Sequence, residues 1–269
     1  MKFISKASPT WYENIILSFI DSQTLSAVYD IGVGPKTEYL TINKKFPDLK
    51  MFGLEANPNT YQEIVHKFPG TVLPLAVSES GGQVRYVVHE QNVMASGLVP
   101  YDNENDGEEF FVPSITLDEF DKRFGSKNGV LLWMDIEGYE LKALRSGSKL
   151  LSSGRVKLIN LEVRPRWNGK SAGCTEQEID EFLHPYGYRK VFVYNHYPQS
   201  RHHDAIYCHN SYDLPQHSKR YIEFYDRALE LMKTPDGMLD LALGSIDSEI
   251  AIAEHLEKIS YLRSKLSSK

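Results

Sequence analysis

The sequence is poor in cysteine and has no long apolar run. Cys174 and Cys208 are the only cysteines among 269 residues, too few for a disulfide framework or a four-cysteine zinc site. No window approaches the roughly 20 apolar residues that a membrane-spanning helix needs. Residues 12–14, Tyr-Glu-Asn, interrupt the apolar stretch near the amino terminus, so we expect no signal peptide. These absences predict a soluble, cytoplasmic protein without a membrane span.

The chain also lacks an excess of positive charge. It carries 30 Lys and Arg against 36 Asp and Glu, a formal net charge of -6 at pH 7. Proteins that bind phosphate backbones present basic patches, and no long basic run occurs here. We therefore expect no nucleic-acid partner. The hydrophobic share of 41% is ample for the core of one large α/β domain.

Apolar segments alternate with amphipathic segments along most of the chain. Strands are predicted at 25–31, 50–54, 71–77, 129–135, 156–163, 189–194 and 205–209, and helices at 9–20, 36–46, 58–68, 117–124, 139–151 and 175–184. Such alternation indicates a mostly parallel sheet covered on both faces. The last two strands follow each other without a helix, which predicts a final antiparallel hairpin. We expect the first helix to lie across the edge of the sheet.

Two regions interrupt or extend this pattern. Alternating segments at 83–89 and 109–113 flank a polar stretch, 91–108, that is long for a compact domain and therefore functional or mobile. Near the carboxyl terminus an apolar helical stripe must be buried, either on its own domain or in a homodimer. The stripe consists of Ile252, Leu256, Ile259, Leu262 and Leu266. The predicted units are an amino-terminal helix in 1–24, a Rossmann-like α/β domain in 25–212 and a helical extension in 213–269.

Asp30, Gly32 and Gly34 lie where the first predicted strand turns towards a helix. Ligands of open α/β sheets bind at such strand ends, and glycine lets backbone N–H groups approach them. The Asp30 carboxylate is a candidate for holding an amino or hydroxyl group of a cofactor. The alternative is an ordinary tight turn, because the third glycine of a dinucleotide-binding fingerprint is missing.

Glu55 ends the second predicted strand, at about the distance from Asp30 expected of an acid that binds ribose hydroxyls. Its two carboxylate oxygens match two hydroxyl donors. Asn57 is a further candidate for the cofactor site. Alternatively, Asn57 only caps the helix that begins at Pro58.

A third group of acids follows the strand 129–135. Asp135 and Glu137 are two residues apart and would share one face of an extended strand. Burying a polar group there without a partner would cost about 2–7 kcal/mol, so a ligand or partner is implied. For Glu137 and Glu140 the alternative is a favourable negative charge at a helix start. Glu162 ends the next strand and adds an acid at the same rim.

A cluster of histidines falls in the predicted final turn, over the expected substrate end of the sheet. It comprises His196, His202 and His203, with Asp204 beside them. One interpretation is a solvated loop. The other is a substrate-binding or catalytic base, for which His203 is the candidate.

Together these segments resemble the FkbM family of S-adenosylmethionine-dependent methyltransferases, usually O-methyltransferases of sugars and natural products. Residues 30–32 match the opening Asp-Ile-Gly-Ala-Asn-x-Gly motif of the family, whereas Val33, Gly34 and Lys36 differ from it. Its Glu-Pro-Asn-Pro-like segment corresponds to residues 55–58, Glu-Ala-Asn-Pro.

The resemblance continues along the chain to about residue 209. The family's Lys-Ile-Asp-Val-Glu-Gly motif corresponds to residues 134–138, Met-Asp-Ile-Glu-Gly. Residues 95–98 are similar to its small, serine-rich segment, and residues 114–118 to its Thr-Leu-Asp helix start. The antiparallel ending of the sheet agrees with a methyltransferase rather than a dehydrogenase.

The resemblance implies methyl transfer from S-adenosylmethionine to a hydroxyl of a sugar or glycoconjugate. The implied cofactor-binding residues are Asp30, Gly32, Gly34, Glu55, Asn57, Ser96 and Asp135. Asp135 is the first candidate for the base or a metal ligand, and Glu162 is a further catalytic candidate. The two acids would share a Mg²⁺ ion, which prefers carboxylate ligands.

Two other functions remain open from the sequence. A nicotinamide-dependent (NAD(P)) oxidoreductase would use the same fold but needs the missing third glycine. A degenerate Rossmann-like binding protein without catalysis is favoured by the departures at Val33 and Lys36.

Overall fold

The fold is described by a computed structural model of the chain, which covers residues 10–35, 38–88, 96–98, 107–164, 173–194 and 203–231. The histidines 196 and 202, most of the polar stretch 91–108 and the apolar stripe predicted near the carboxyl terminus lie outside these residues. Within the described ranges, every helix is too short or too polar to cross a membrane.

The chain forms a seven-stranded sheet and a smaller four-stranded sheet. The strands are β1 (Leu25–Ile31), β2 (Lys50–Leu54), β3 (Thr71–Leu73), β4 (Ala76–Val77), β5 (Gly82–Val88), β6 (Gly97–Leu98), β7 (Glu108–Ile115), β8 (Gly129–Met134), β9 (Val156–Val163), β10 (Tyr188–Tyr194) and β11 (His203–His209).

The large sheet has the order β10-β11-β9-β8-β1-β2-β3. Its five neighbouring strands β9, β8, β1, β2 and β3 run parallel to one another, and β11 is antiparallel to both β9 and β10. The predicted α/β fold, with a mostly parallel sheet and a final antiparallel hairpin, is therefore confirmed. The last strand of the described residues, β11, lies between β9 and β10, so the order differs from the all-parallel 3-2-1-4-5-6 sheet of dinucleotide-binding domains.

Helices cover both faces of this sheet. They are α1 (Thr10–Phe19), α2 (Glu38–Lys45), α3 (Pro58–Ile64), α4 (Leu117–Phe124), α5 (Glu140–Arg145), α6 (Ser148–Ser152), α7 (Glu176–Leu183) and α8 (Gln216–Leu231). One core contains apolar side chains of α1, α2, α3 and α8, and the core on the opposite face contains those of α4 to α7. All six residues of β8, which lies in the middle of the sheet, are apolar or glycine and are buried, as expected of a parallel strand covered on both faces.

The first helix packs on a face of the sheet and not across its edge, contrary to the prediction. Ile16 and Phe19 of α1 are buried in the same cluster as Val28 of β1 and Leu131 of β8. The Phe19 ring also lies 6.4 Å from that of Tyr221 in α8. Two nearly fully buried apolar positions on one helix need partners below and beside it, which an edge position would not supply.

Two predicted elements are split in the structure. The helix expected over 139–151 is α5 and α6, separated where Gly147 passes so close to Leu117 that an added Cβ would lie 3.0 Å from the Leu117 Cβ. The strand expected over 71–77 divides between the two sheets as β3 and β4. The strand is interrupted at Pro74, which has no N–H to donate to a ladder, whereas the division of the helix falls at a contact with a distant segment.

The small sheet has the order β4-β7-β5-β6 and is mostly antiparallel. Its inner face packs Tyr86, Leu98 and Val112 against Ile136 and Tyr139, which follow β8 in the large sheet. This contact holds the small sheet against the carboxyl ends of the parallel strands, where it forms one wall of the pocket described below.

Tyr212 joins the two ends of the described chain. Its hydroxyl donates to the carbonyl oxygen of Phe19 at 2.7 Å and accepts the N–H of Asp21 at 2.9 Å. The first helix is thereby tied to the segment that follows β11. The predicted boundaries at residues 24 and 212 stay predictions.

Candidate active site

A pocket opens at the carboxyl ends of β1, β2 and β8, facing the small sheet. The space among its lining residues is about 720 Å³, which includes open solvent. The large sheet contributes the turns after β1, β2 and β8, and the small sheet contributes Tyr86, Leu98 and the adjoining Ser96. This is the position at which open α/β sheets bind ligands.

The turn after β1 requires glycine. Gly32 has a φ of 82°, and a Cβ on it would lie 2.1 Å from the carbonyl oxygen of Asp135. Its N–H donates to the carbonyl oxygen of Leu54 at 2.8 Å. Gly34 has a φ of 64°. The missing side chain of Gly32 therefore leaves room for the turn after β8, whose Asp135 carbonyl and Ile136 side chain fill that space.

Glu55 connects the ends of the first two strands. Its Oε2 atom accepts the N–H of Gly34 at 2.8 Å and its Oε1 atom accepts the N–H of Asn57 at 2.7 Å. The residue is 5% exposed, and burial raises the pKa of its carboxyl, assisted by the charge of Asp135 and opposed by the two N–H donors. Each oxygen keeps acceptor capacity for a ligand in the pocket.

The two ends of the Asn57 amide suit the two roles considered for it, helix capping and ligand binding. Its Oδ1 accepts the N–H groups of Asn59 and Thr60 and so caps α3. This fixes the orientation of the amide. Its Nδ2 is buried at the pocket and has no hydrogen-bond partner among the described residues. A buried donor of this kind is satisfied if a ligand acceptor enters.

The turn after β8 carries Asp135 and Glu137 into the pocket lining. The two acids do not share a strand face as predicted, because β8 ends at Met134 and Glu137 has a left-handed φ of 58°. The N–H of Asp135 donates to the carbonyl oxygen of Ile31 at 3.1 Å. Glu137 forms an ion pair with Arg164. The turn, not the strand, therefore sets the direction of both carboxylates.

Glu140 lies beneath this turn with no exposed surface. Its Oε1 atom accepts the N–H of Ile136 at 2.9 Å and that of Gly138 at 3.3 Å. Burial raises the pKa of its carboxyl to about 8 against the effect of these donors, and the charge of Asp135 raises it further. The side chain is thus predominantly a neutral acid at pH 7.

Three carboxylates come close together beside the pocket. One oxygen each of Asp135, Glu137 and Glu162 lies within 4.8 Å of the others. Glu162 projects from β9, opposite Asp204 of β11, and does not line the pocket. Arg164 was not singled out from the sequence, although an arginine two residues after Glu162 lies at the same strand end. Oxygen donors in this number suit a hard cation such as Mg²⁺, but Arg164 already supplies positive charge to one of them.

The remaining predicted site residues lie in three places. Ser96 is buried in the pocket wall. Asp30 is not part of the pocket lining; it pairs in register with Gly53 and Trp133 of the neighbouring strands, and its charge contributes to the raised pKa of Tyr39. The pocket therefore brings together the predicted set except for three members, Asp30, Glu162 and His203.

His203 and Asp204 belong to β11 and not to the predicted turn. The Nε2 atom of His203 is 2.8 Å from an oxygen of Glu176, which also pairs with Lys190. These two partners lower the pKa of Glu176 to about 2, the hydrogen bond from His203 having the largest effect and burial opposing it. Glu176 and Lys190 were also not found from the sequence, because they meet His203 only through the packing of α7 on the hairpin.

Comparisons with protein families and with solved structures matched this chain to methyltransferases. The model of the FkbM methyltransferase domain matches residues 11–190. A precorrin-6y C5,15-methyltransferase from Geobacter metallireducens has a similar structure, with 13% identity, a TM-score of 0.41 and coverage of 76% of this chain and 93% of its own.

A second similar structure is a Streptococcus pneumoniae protein provisionally described as a tRNA (m1A22) methyltransferase, solved with S-adenosyl-L-methionine. It is 9% identical, with a TM-score of 0.43 and coverage of 93% of this chain and 98% of its own. The comparison with curated protein sequences produced no match.

Proposed function

Because this chain belongs to the FkbM methyltransferase family, we propose that it transfers a methyl group from S-adenosylmethionine to a hydroxyl oxygen of a sugar or glycoconjugate. The observation that carries the proposal is the pocket at the strand ends, where Glu55 and the buried donor of Asn57 face the same space. S-adenosylmethionine supplies an electrophilic methyl group on a sulfonium sulfur.

The residues of the pocket fit this cofactor. The Glu55 carboxylate retains lone pairs for two ribose hydroxyls, since its two oxygens each accept one backbone N–H. The Asn57 Nδ2 atom donates to an acceptor on the nucleoside. Gly32 lets the turns after β1 and β8 pack closely against each other, so that both line the pocket. Gly34 and Ser96 complete the predicted contacts.

Asp135 is the proposed base for the acceptor hydroxyl. It is partly exposed in the pocket lining, and its carboxylate can accept the proton that the hydroxyl loses as its oxygen attacks the methyl group. Methyl transfer otherwise depends on holding the two reactants in line. Glu162 and His203 stand outside the lining; His203 is proposed to act only if the acceptor extends towards the hairpin, and Glu162 only through a bound cation.

A divalent cation at the three carboxylates is a second part of the proposal. Asp135 and Glu162 would hold Mg²⁺, which would polarise the acceptor oxygen. The test is activity in EDTA and its recovery with added Mg²⁺. Undiminished activity in EDTA would leave Asp135 as a metal-free base.

Calorimetry distinguishes the proposal from its alternatives. Full-length protein is titrated with S-adenosylhomocysteine, with NADH and with buffer alone. Binding of S-adenosylhomocysteine alone is expected; binding of NADH alone would favour an oxidoreductase, and binding of neither would favour a Rossmann-like scaffold protein. Pooled sugar nucleotides and glycans with radiolabelled cofactor then identify the acceptor class, and transfer to none of them would contradict the sugar assignment.

We also propose a cytoplasmic homodimer joined through the apolar stripe near the carboxyl terminus. Truncation after Lys233 removes the stripe, and the shortened protein is expected to bind S-adenosylhomocysteine while sedimenting as a monomer. Full-length protein that is already monomeric at tens of micromolar would contradict the dimer and favour docking of the stripe on its own domain.

A further inference from the structure

The turn after β8 contains two consecutive residues with left-handed backbone. Glu137 has a φ of 58° and Gly138 one of 97°. A non-glycine residue rarely adopts this region and persists there only where its surroundings fix it. Asp135 and Glu137 reach the pocket through this turn, so whatever fixes the turn also sets the direction of both carboxylates.

Glu140 makes the contacts that fix the turn after β8. Its single oxygen Oε1 accepts the N–H of Ile136 and the N–H of Gly138, which are the residues on either side of Glu137. The left-handed residue is therefore held at both of its neighbours by one buried side chain. On the opposite side the turn contacts Gly32, whose missing side chain leaves room for the Asp135 carbonyl.

The usual role of a glutamate in the first helical turn does not account for this arrangement. Such an acid stabilises its helix by charge from the surface, as Glu119 does in the capping box of α4. Glu140 has no exposed surface, and beside its own N–H it accepts those of Ile136 and Gly138, which precede α5. These two partners belong to the turn at the pocket.

We propose that Glu140 is a positioning residue, whose buried carboxyl oxygen fixes the 135–138 turn so that Asp135 and Glu137 face the pocket. The inference rests on the proposed function, because the pocket that the turn lines is taken as the cofactor site. Glu140 itself does not contact the ligand.

The first test compares two substitutions of Glu140 in the full-length protein. Glu140→Gln keeps an oxygen where Oε1 stands, whereas Glu140→Leu removes it at similar volume. We expect S-adenosylhomocysteine affinity within about twofold of wild type for Gln and a loss of about tenfold or more for Leu, because a released turn displaces its own pocket-lining residues and Gly32, against which it packs. Glu119→Leu, which removes another first-turn glutamate, is the matched control and should leave the affinity unchanged.

The second test asks whether the effect passes through Glu137. Glycine adopts a left-handed φ without strain, so Glu137→Gly should make the turn less dependent on Glu140. In a double-mutant cycle, the loss caused by Glu140→Leu is expected to be smaller in the Glu137→Gly background than in wild type. An equal loss in both backgrounds would overturn the proposal.

The geometry can be checked without any ligand. A crystal structure of Glu140→Leu is expected to show residue 137 outside the left-handed region, and an unchanged φ there would refute the positioning role. So would a folded Leu variant that binds like wild type, or equal losses in the Gln and Leu variants. If Leu prevents folding, Glu140→Asp, whose oxygen is retracted by one methylene, replaces it with the same expectation. Wild-type protein that binds no S-adenosylhomocysteine would instead contradict the proposed function and leave the crystallographic test decisive for Glu140.

Discussion

The Glu55 carboxylate and the Gly34 backbone N–H are joined by a 2.8 Å hydrogen bond across the ends of the first two strands. The bond gives Glu55 a second role beside the ligand contact proposed for it. Because Gly34 belongs to the turn that faces the pocket, removal of the carboxylate affects both the cofactor contact and the shape of the turn.

Glu55→Ala is expected to weaken S-adenosylmethionine binding by about 1.5–3 kcal/mol, the range for charge-assisted hydrogen bonds. Calorimetry on the folded variant measures this. Glu63→Gln, an exposed change on the neighbouring helix α3, is the control and should bind like wild type. Unchanged affinity in folded Glu55→Ala would remove Glu55 from the site.

Wild-type affinity for S-adenosylhomocysteine should also fall as the pH is lowered. Burial raises the pKa of Glu55, so its carboxylate gains a proton at a higher pH than an exposed glutamate and then accepts fewer hydrogen bonds. The decline is expected in wild type and not in Glu55→Gln, as measured by calorimetry between neutral and mildly acidic pH. Parallel profiles for the two proteins would assign the decline to another group.

The two ends of the Asn57 amide can be separated by substitution. Asn57→Ser keeps a capping oxygen for α3 but lacks the Nδ2 donor, so stability should be retained and cofactor affinity reduced about fivefold or more. Asn57→Ala removes both and should also lose about 0.5–2 kcal/mol of unfolding free energy. Chemical denaturation and calorimetry report the two effects. Wild-type affinity in the Ser variant would show that Asn57 serves the helix alone.

Asp135→Asn preserves the shape of the side chain and removes its charge. We expect the methyl-transfer rate to fall by roughly 100-fold or more, the usual contribution of a general base, while cofactor affinity is kept. The rate is measured on the acceptor found by the glycan screen. Glu137→Gln, in the same turn but ion-paired with Arg164, is the comparison and should retain more activity. Wild-type turnover of Asp135→Asn would make the base assignment wrong.

Compared with wild type, the Glu140→Gln variant should become more stable as the pH rises. In the folded protein the pKa of Glu140 is raised from an ordinary value of 4.5 to about 8, so the unfolded chain loses this proton first. Wild type therefore loses stability between those two pH values, by at most about 1.4 kcal/mol per pH unit, whereas the Gln variant has no proton to lose there. Denaturant unfolding from pH 5 to pH 8 compares the two, and curves that keep a constant separation would contradict the buried neutral acid.

The large sheet was predictable mainly because its central strands β1, β8 and β9 are compact and largely apolar. The bounds of β1, β2 and β9 agree with the predicted segments, as do those of α4. The strand predicted over 71–77 is interrupted at Pro74, a local signal, whereas the division of the helix predicted over 139–151 depends on a distant segment. Gly147 divides a continuous helical pattern because Leu117 packs against it, and nothing in the local periodicity reports that contact.

The candidate site was predictable in composition but not in geometry. Glycines and acids at strand ends identify Gly32, Glu55 and Asp135 as its members, since parallel strands bring their carboxyl ends to one edge. The pairing of Glu137 with Arg164 is invisible in either segment alone. For Glu140, its place in the sequence left open a favourable charge at a helix start, and only the packed structure shows that the side chain is buried.

The contact of Tyr212 with Phe19 bears on how the chain folds during its synthesis. Among the strands that the structure describes, β11 is the last to leave the ribosome, yet it lies between β9 and β10, so the sheet stays open until then. The first helix, although made at the outset, lacks its partners in Tyr212 and α8 for most of translation. Nascent chains that stop short of this point expose an unpaired strand edge and a bare apolar helix, the features that attract chaperones and cause aggregation.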